Sequence, residues 1–500
     1  MKDITRREFL SSTASAAVSP LLVDNVFAES AIPKKPNIVY ILADDQGYGE
    51  AGSFNPECGI PTPGIDRIAR EGMRFTDAHS ASAVCTPTRY ALLTGRYAWR
   101  TRLQKGVLTS GVAPLIDNGT LTVQRLLKQH DYKTACIGKW HLGFHYDMPR
   151  GTKITRPKGS QGAAPIGSRV IEGPITRDFD VFNGFHHAGE MRSWIEQDVV
   201  TENFESSEQM LPRLCEKSVA YIQKRGRKKD GPFFLYVPLN APHGPHVPTK
   251  EWQGKSGLGL YADFVMQTDD VVRRILVALD ESGLAEDTIV FFATDNGTSP
   301  SKKTIEELRK NEYDPLGGLR GHKADVWDGG HRVPFVVRWP GVIKPGSVSD
   351  ETICHNNLLV TCGDILGISL PDNAGVDSFS ILPLLQGNQA QVAPTHPYVI
   401  HHSSNGHFAI RQGKWKFVAC QGSGGWSKGD DGKPAQLYDM SIDRSEKNNL
   451  LESRTDVAKR LADLLEQAVN NGRTRPGAKQ KNDVSVDIWK SKESRPWLLR

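Results

Sequence analysis

Four short apolar segments, each ending in a cluster of polar residues, constrain the fold of this chain more than any other feature. They run from Asn37 into Asp44-Asp45, from Thr134 into Lys139-Trp140-His141, from Phe233 into Asn240-Ala241-Pro242-His243, and from Thr288 into Asp295-Asn296. Each lacks polar alternation and is rich in β-branched and aromatic residues, as is typical of strands buried on both faces. Stretches with a helical pattern lie between them at 65–73, 121–129 and 264–282. This alternation predicts an α/β fold with a mostly parallel sheet sandwiched by helices.

The polar residues all follow the carboxyl ends of the predicted strands, which is where parallel α/β sheets bind ligands. Asp44, Asp45, Asp295 and Asn296 offer oxygen atoms and include no histidine. This set suits Ca²⁺ or Mg²⁺ better than zinc. Either pair alone would be an ordinary helix cap or turn. Their occurrence at two matching strand ends predicts a metal site.

A second candidate site begins at Cys85. Pro87 suits a first helical turn and Gly95 suits a helix end, so the segment between them predicts a helix. Cys85 would lie at its N-terminus, where free N–H groups favour an anion, and Arg89 would lie one turn further on. The alternative is a buried structural cysteine beside a solvated arginine. The seven cysteines include no C-x-x-C pair, and their odd number predicts one unpaired thiol with a function, for which Cys85 is the candidate.

Composition and the N-terminus bound the class of protein. The chain has 500 residues and a net charge of +5, so we expect two or three domains and no nucleic-acid partner. Beyond the N-terminus no apolar run reaches the ~18–20 residues of a membrane span. Arg6-Arg7, a weakly apolar stretch at 14–23 and Ala28 resemble a twin-arginine export signal over 1–30. This predicts a periplasmic or extracellular bacterial protein and the twin-arginine machinery as a partner; the alternative is a basic helix that stays attached.

The segment Cys85-Thr86-Pro87-Thr88-Arg89, continued by Leu92-Leu93-Thr94-Gly95, resembles the signature of the type I, formylglycine-dependent sulfatases of the alkaline phosphatase-like superfamily. Further motifs follow in the family's order: Asp44-Asp45, Gly138-Lys139-Trp140-His141, Ala241-Pro242-His243, Thr294-Asp295-Asn296-Gly297 and Gly321-His322-Lys323. Segments 409–416 and 437–439 resemble the family's smaller C-terminal sheet domain, so the likeness covers about residues 35–450. Glu50 stands where the family often has an aspartate.

The resemblance implies that a maturation enzyme oxidises Cys85 to formylglycine, whose hydrate is the nucleophile. The spare hydroxyl of the hydrate expels sulfate and restores the aldehyde, whereas a serine would be left as a stable ester. It also implies one Ca²⁺, bound by Asp44, Asp45, Asp295, Asn296 and the group derived from Cys85.

The same resemblance implies roles for the remaining polar residues. Arg89 and Lys139 would stabilise the nucleophile and the anionic group, and His141 would be the base that triggers sulfate release. His243 and Lys323 would hold the sulfate and protonate the departing alcohol. Without the motif context, the lysines would be solvated surface residues and the histidines structural ones.

We therefore expect a signal segment at 1–30, a catalytic domain at 31–390, and a C-terminal α+β domain at 391–500. The last of these would contain a helix at 457–469 and a loosely packed basic tail from Arg473.

The predicted activity is hydrolysis of a sulfate ester, with a sulfated carbohydrate as the favoured substrate. Trp194, Trp252 and Trp426 are candidates either for stacking on a sugar ring or for the core. Five histidines are candidates for the substrate pocket, for the surface or for capping: His246, His322, His331, His401 and His402. The alternatives are a phosphonate monoester or phosphodiester hydrolase of the same superfamily, and a catalytically silent sugar-binding relative.

Overall fold

The four apolar segments become neighbouring strands of one large sheet. The computed structural model describes residues 35–109, 111–148, 151, 154, 162–299, 301, 305–306, 308–309, 313–388, 395–429 and 431–490. The strands of the large sheet are β1 (Asn37–Asp44), β2 (Met73–Phe75), β4 (Lys133–Lys139), β5 (His145–Asp147), β6 (Arg169–Ile171), β7 (Val181–Phe185), β8 (Ser193–Glu196), β9 (Val199–Asn203), β10 (Phe233–Pro242), β11 (Thr288–Thr294), β12 (Phe335–Arg338) and β13 (Ser347–Ser349), and β3 (Ala78–His79) pairs with β14 (Ile353–Cys354) in a small separate sheet.

The order across the described part of the large sheet is β13-β2-β12-β11-β1-β10-β4-β7-β8-β9-β6-β5. The strands predicted from the sequence form the consecutive run β11-β1-β10-β4, and all three pairings within it are parallel. Their carboxyl ends therefore meet at one edge of the sheet, as predicted. Strand β1 is buried along its whole length, which explains why its sequence shows no polar alternation.

Helices cover both faces of this sheet. The described helices are α1 (Pro63–Glu71), α2 (Cys85–Thr94), α3 (Val123–Gln129), α4 (Met210–Lys228), α5 (Leu260–Glu281), α6 (Asp328–His331), α7 (Leu358–Ile365), α8 (Leu382–Leu385) and α9 (Thr455–Asn470). Val39 and Ile41 of β1 share a core with residues of α1, α4 and α5. Tyr40, which points to the opposite face, lies beside Leu358 of α7. The three helices predicted in this part of the chain correspond to α1, α3 and α5.

A small antiparallel sheet follows toward the C-terminus, with strands β15 (Val399–His402), β16 (Phe408–Gln412), β17 (Trp415–Val418) and β18 (Gln436–Asp439). Helix α9 packs on it through Leu461 and Leu465, and the same core includes Trp99. The α+β architecture predicted here is confirmed. The predicted boundary at 390/391 falls on residues outside the described part of the chain, as does the predicted signal segment.

The prediction of a loosely packed tail is wrong for its described part, residues 473–490. Arg473 is 4% exposed and donates to both carboxylate oxygens of Asp372 at 2.9 Å. Ile488 and Trp489 belong to the core beneath the small sheet. The basic composition of the tail gave no indication that Ile488 and Trp489, near its end, are buried. Among the described residues, no helix has both the length and the apolar character needed to cross a bilayer.

Candidate active site

The predicted site residues lie at the carboxyl ends of the four parallel strands. Asp44 ends β1 and Lys139 ends β4, while Asp295 and Asn296 directly follow β11. Two residues at this edge have left-handed backbone conformations that are uncommon outside glycine: Asp45 has φ 69° and His141 has φ 55°. Because short polar side chains tolerate this region best, the aspartate fits its position.

Three ion pairs cross the site: Lys139 with Asp44, Lys323 with Asp45, and Arg89 with Asp295. Their nitrogen–oxygen distances are 2.6, 2.7 and 2.6 Å, and no side chain among the six is more than 6% exposed. Unpaired charges at this depth would cost several kcal/mol each, about 3–5 kcal/mol for a broken pair. The equal numbers of cations and carboxylates make this burial possible.

Asp44 and Asn296 each retain one acceptor atom without a hydrogen-bond partner among the described residues. Oδ1 of Asp44 and Oδ1 of Asn296 are buried and unpaired. Nδ2 of Asn296 donates to Oδ1 of Asp45 at 2.7 Å, which turns the amide oxygen of Asn296 away from that carboxylate. Ligand atoms of Asp44, Cys85 and Asp295 lie within 4.8 Å of one another, as do those of Asp44, Asp45 and His243. Orphaned hard oxygen atoms beside carboxylates fit a Ca²⁺ or Mg²⁺ ion.

The electrostatics of the carboxylates agree with a cation site. Burial alone raises the pKa of Asp44, but the nearby cations, with Lys139 first, lower it below its usual range. Burial, reinforced by Asp44, raises the pKa of Asp295. A divalent cation would relieve the mutual repulsion of Asp44 and Asp295.

Cys85 is the first residue of α2, as the sequence predicts, and Gly95 caps the other end with φ 63°. All ten residues of the helix are buried, so it is a central element rather than a surface one. Burial raises the pKa of the Cys85 thiol. The odd number of cysteines does not single out one unpaired thiol, since all seven cysteines are described and all are free and buried. Its position at the sheet edge, and not its lack of a partner, distinguishes Cys85.

His141 is buried beside two histidines that the sequence did not single out. Its Nε2 lies 2.9 Å from the carbonyl oxygen of Leu108, so Nε2 carries the hydrogen and Nδ1 keeps a lone pair. That Nδ1 has no partner among the described residues. Burial, together with the Lys139 charge, lowers the pKa of His141 well below its usual value. The ring packs against His187 at 5.6 Å and His186 at 6.3 Å, measured between ring centroids.

His243 and Lys323 approach the site from its open side. Nε2 of His243 lies 3.6 Å from Oδ2 of Asp45, the oxygen that Lys323 also contacts, and its side chain is 22% exposed. The Lys323 backbone N–H donates to the carbonyl oxygen of Thr298 at 3.0 Å, which ties its loop to the one that carries Asn296. Both residues therefore face the same carboxylate, and His243 is the more exposed of the two.

Glu50, which departs from the family pattern, is a buried brace between the loops that carry Asp45 and Asn296. Its carboxylate accepts from the Gly47 backbone N–H at 2.7 Å, the Tyr261 hydroxyl at 2.6 Å and the Thr298 hydroxyl at 2.7 Å. Burial raises the pKa of Glu50 to about 7. These contacts join the loop after β1, the start of α5 and the loop after β11, so Glu50 fixes the backbone around the carboxylates.

A cavity of about 870 Å³ lies next to Lys323 and is lined in part by His322, Trp426 and Lys428. Trp426 is 55% exposed, and the Lys323 ammonium lies 5.9 Å from its ring centre. Asp325 anchors the loop: it accepts from the backbone N–H groups of Trp426 at 2.8 Å and His322 at 3.0 Å. The tryptophan is therefore held in a fixed position beside the site.

The other aromatic candidates for the substrate pocket differ in how deeply they are buried. Trp194 is fully buried and belongs to the core, while Trp252 is half-buried under Lys255. His331, His401 and His402 are interior residues rather than pocket or surface ones, whereas His246 and His322 are partly exposed.

Comparisons with known proteins agree with this geometry. The sulfatase family model matches residues 36–368, and a model described as N-sulphoglucosamine sulphohydrolase, C-terminal, matches residues 322–471. The N-acetylgalactosamine-6-O-sulfatase of Bacteroides thetaiotaomicron is 30% identical over 87% of this chain and 93% of its own length. Human arylsulfatase A is 30% identical over 87% of each chain.

Solved structures show the same fold. A structure described for the metabolism of multiple glycosaminoglycans by Bacteroides thetaiotaomicron superimposes with a TM-score of 0.76 at 27% identity, over 87% of this chain and 99% of the other. A phosphonate monoester hydrolase of Agrobacterium radiobacter shares the fold with a TM-score of 0.57 at 18% identity, over 87% of this chain and 95% of the other. The family-model matches and the 30% identical relatives show that the chain belongs to the sulfatase family of sulfuric ester hydrolases.

Proposed function

We propose that the protein hydrolyses a sulfate ester on a carbohydrate, with formylglycine formed from Cys85 and one Ca²⁺ as its reactive groups. The observation that carries this proposal is the meeting of Cys85, Asp44 and Asp295, whose ligand atoms lie within 4.8 Å of one another. Asp44, Asp45, Asp295 and Asn296 would hold the calcium, together with the group derived from Cys85. When bound, the ion would withdraw electrons from a sulfate oxygen and lower the pKa of the attacking hydroxyl.

Conversion of Cys85 would supply an oxygen nucleophile on a carbon that can also release sulfate. The hydrated aldehyde carries two hydroxyls, one to attack sulfur and one to expel sulfate as the aldehyde returns. The conversion itself is an oxidation, and we assign it to a separate maturation enzyme with its own oxidant. The N-terminal position of Cys85 in α2 supports the use of this residue, because free N–H groups there stabilise negative charge.

His141 is suited to remove the proton that triggers sulfate release. Its Nε2–H is held by the Leu108 carbonyl at 2.9 Å, which leaves Nδ1 as the basic atom. The lowered pKa of His141 keeps this ring neutral near pH 7, as a base requires. Arg89 and Lys139 would compensate the negative charge that develops next to them.

His243 and Lys323 are suited to protonate the departing alcohol. Both side chains face Oδ2 of Asp45, and His243 is partly exposed. They are therefore placed to meet an alcohol oxygen that leaves a sulfate bound beside Asp45. Lys323 keeps its proton, since Asp45 raises the lysine pKa against the opposing effect of burial.

A sugar is the favoured bearer of the sulfate. The exposed ring of Trp426 offers a flat apolar surface 5.9 Å from the Lys323 ammonium, on which a sugar ring could stack. The N-acetylgalactosamine-6-O-sulfatase relative acts on a sulfated sugar by its name. We further propose export through the twin-arginine pathway on the strength of Arg6-Arg7 and the segment after them.

Mass spectrometry of the peptide containing Cys85 is the direct test. We expect a loss of sulfur and a gain of aldehyde reactivity in active protein, and an unmodified thiol in fully active protein would contradict the proposal. Matched aryl sulfate and aryl phosphate substrates should separate the activities, with the sulfate preferred in calcium. A preference for phosphate or phosphonate esters would favour the alternative hydrolase, and binding of sulfated saccharides without sulfate release would favour a silent relative.

A further inference from the structure

Three histidines from distant parts of the chain meet in the protein interior. His79 ends β3, His331 ends α6 and His401 lies in β15. All three are 0% exposed, and one ring nitrogen of each lies within 4.8 Å of the others. They form a cluster, here called the tri-histidine cluster, at the contact between the large-sheet region and the small C-terminal sheet. The sulfatase chemistry proposed above uses none of them.

The hydrogen bonds of His331 and His79 leave two lone-pair positions face to face. Nε2 of His331 lies 3.0 Å from the carbonyl oxygen of Val326, which can only accept, so Nε2 carries the hydrogen. The Lys416 ammonium is further from this nitrogen, at 3.4 Å, and already has carboxylate partners at 2.7 and 2.8 Å. Nδ1 of His331 is therefore the acceptor, and Nδ1 of His79 lies 3.0 Å from it.

The far side of His79 is held by a carboxylate. Its Nε2 lies 3.1 Å from Oδ1 of Asp77. Both rings thus donate outward, one to a carbonyl and one to a carboxylate, and turn Nδ1 inward. This is the arrangement by which proteins orient metal-binding histidines. Two nitrogens bound to one tetrahedral zinc ion lie about 3.3 Å apart, close to the separation found here.

His401 supplies an independent observation. Neither of its ring nitrogens has a hydrogen-bond partner among the described residues, although the residue is 0% exposed. Leaving such atoms unpaired costs about 1–3 kcal/mol each. Its ring lies 3.8 Å from that of His331 at an angle of 10°, and 4.7 Å from that of His79. The unpaired nitrogens therefore lie next to the two inward-facing ones.

We propose that the tri-histidine cluster binds one transition-metal ion of the Zn²⁺ class. Imidazole nitrogens suit Zn²⁺, Cu²⁺ or Ni²⁺ and are poor ligands for Ca²⁺, so the cluster would be chemically distinct from the oxygen site around Asp44. Because an ion cannot lie in the planes of two parallel rings, the His401 ring must tilt out of its stack on binding.

The charges around the cluster are balanced. They comprise the carboxylates Asp77, Asp328 and Glu446 and the cations Arg332, Arg411 and Lys416. The ion would link β3 and α6 to strand β15 of the small C-terminal sheet. Because it binds the native state and not the separated ligands of the unfolded chain, it would also raise the unfolding temperature.

The test uses the full chain, stripped of metals by a chelator and dialysed against Zn²⁺ in the presence of excess Ca²⁺. We expect one zinc per chain by elemental analysis and a higher unfolding temperature with zinc. X-ray absorption at the zinc edge should show scattering from imidazole rings. In His401→Phe, which preserves a stacked ring, zinc affinity should fall at least about tenfold.

His355→Phe is the matched control, since His355 is also fully buried with two unpaired ring nitrogens but lies outside the cluster. It should bind zinc as the wild type does. Equal zinc affinity in the wild type and His401→Phe would overturn the proposal, as would a zinc edge spectrum with oxygen ligands only. If His401→Phe does not fold, the wild-type edge spectrum decides the question. A zinc-soaked crystal with only a water at the cluster also counts against the proposal.

Discussion

Oδ2 of Asp44 accepts from the Lys139 ammonium at 2.6 Å, while Oδ1 of the same carboxylate has no partner among the described residues. One oxygen is thus neutralised by a fixed cation and the other remains available. Because both residues are 0% exposed, water cannot compensate either charge. In the proposed function, Lys139 would therefore balance the charge of a metal-binding carboxylate as well as act on the substrate.

Replacing Lys139 by methionine should therefore make the free energy of unfolding depend on the calcium concentration. The substitution removes the closer cation of Asp44 and leaves it only Arg89 at 3.6 Å, at a cost of up to about 3–5 kcal/mol in the free energy of unfolding. Added Ca²⁺ should restore part of this loss, because it supplies the missing positive charge. Activity should fall by about 10²–10³-fold, since a positioned charge is lost from the transition state.

Denaturant unfolding with calcium or chelator measures this effect. Lys128→Met is the matched control, because Lys128 forms a 2.7 Å pair with Asp180 at the surface and should contribute only about 0–1 kcal/mol. A Lys139→Met variant whose stability loss is the same with calcium and with chelator would argue against a cation at Asp44.

Asn296→Ala should weaken calcium binding without unfolding the protein. The substitution removes an unpaired buried oxygen and also the donor that Oδ1 of Asp45 receives at 2.7 Å. We expect a loss of about 10–100-fold in calcium affinity, measured by calorimetric titration. Asn356→Ala is the control: Asn356 is equally buried, has an unpaired Oδ1 and donates to the carbonyl of Asp377, and its loss should leave calcium affinity unchanged. Equal affinities in the two variants would refute the role of Asn296.

Trp426→Ala should discriminate between sugar and aryl substrates. Loss of an aromatic contact worth about 0.5–1.5 kcal/mol should raise KM for a sulfated saccharide roughly 2–12-fold. An aryl sulfate, which is too short to cover the exposed ring, should be hydrolysed at the wild-type rate. Trp252→Ala serves as the control, since Trp252 is half-buried against Lys255. Parallel losses on both substrates would show that Trp426 supports the fold of the site instead.

The sequence was sufficient to predict the centre of the molecule because its pattern there is local. An apolar run such as β1 must be a buried strand, and the residue after it must lie at the sheet edge. The order β11-β1-β10-β4 then brings Asp44, Lys139 and Asp295 together without further information. The helix at Cys85 was predictable for the same reason, from its proline and its terminal glycine.

Contacts that do not follow from the ends of the apolar strands were not predictable. Glu50 meets Thr298 across 248 positions, and His79 meets His331 across 252. His187 contacts His141 because β7 pairs with β4. No local sequence pattern predicts this pairing. Composition also misled, since a basic tail can still contribute two buried apolar residues near its end, Ile488 and Trp489.

Glu50 predicts a specific pH dependence of stability. Its pKa is about 7 in the folded protein and 4.5 in an unperturbed chain, because burial disfavours the charged form. Between these values the native state binds a proton that the unfolded state has released, so the free energy of unfolding falls as pH rises from 4.5 to 7. The loss should reach about 1–3 kcal/mol at pH 8.

Glu50→Gln should remove this slope. The amide oxygen can still accept from the Gly47 N–H, and the amide group can donate to the Tyr261 and Thr298 hydroxyls, so the brace is kept without a buried charge. Urea unfolding across this pH range should give a variant that matches the wild type near pH 4 and exceeds its stability near pH 8. The exposed Glu57→Gln substitution should leave the wild-type curve unchanged. If the Glu50→Gln and wild-type curves run parallel across the range, Glu50 does not titrate there, and the brace must hold its charge through a partner outside its three hydrogen bonds.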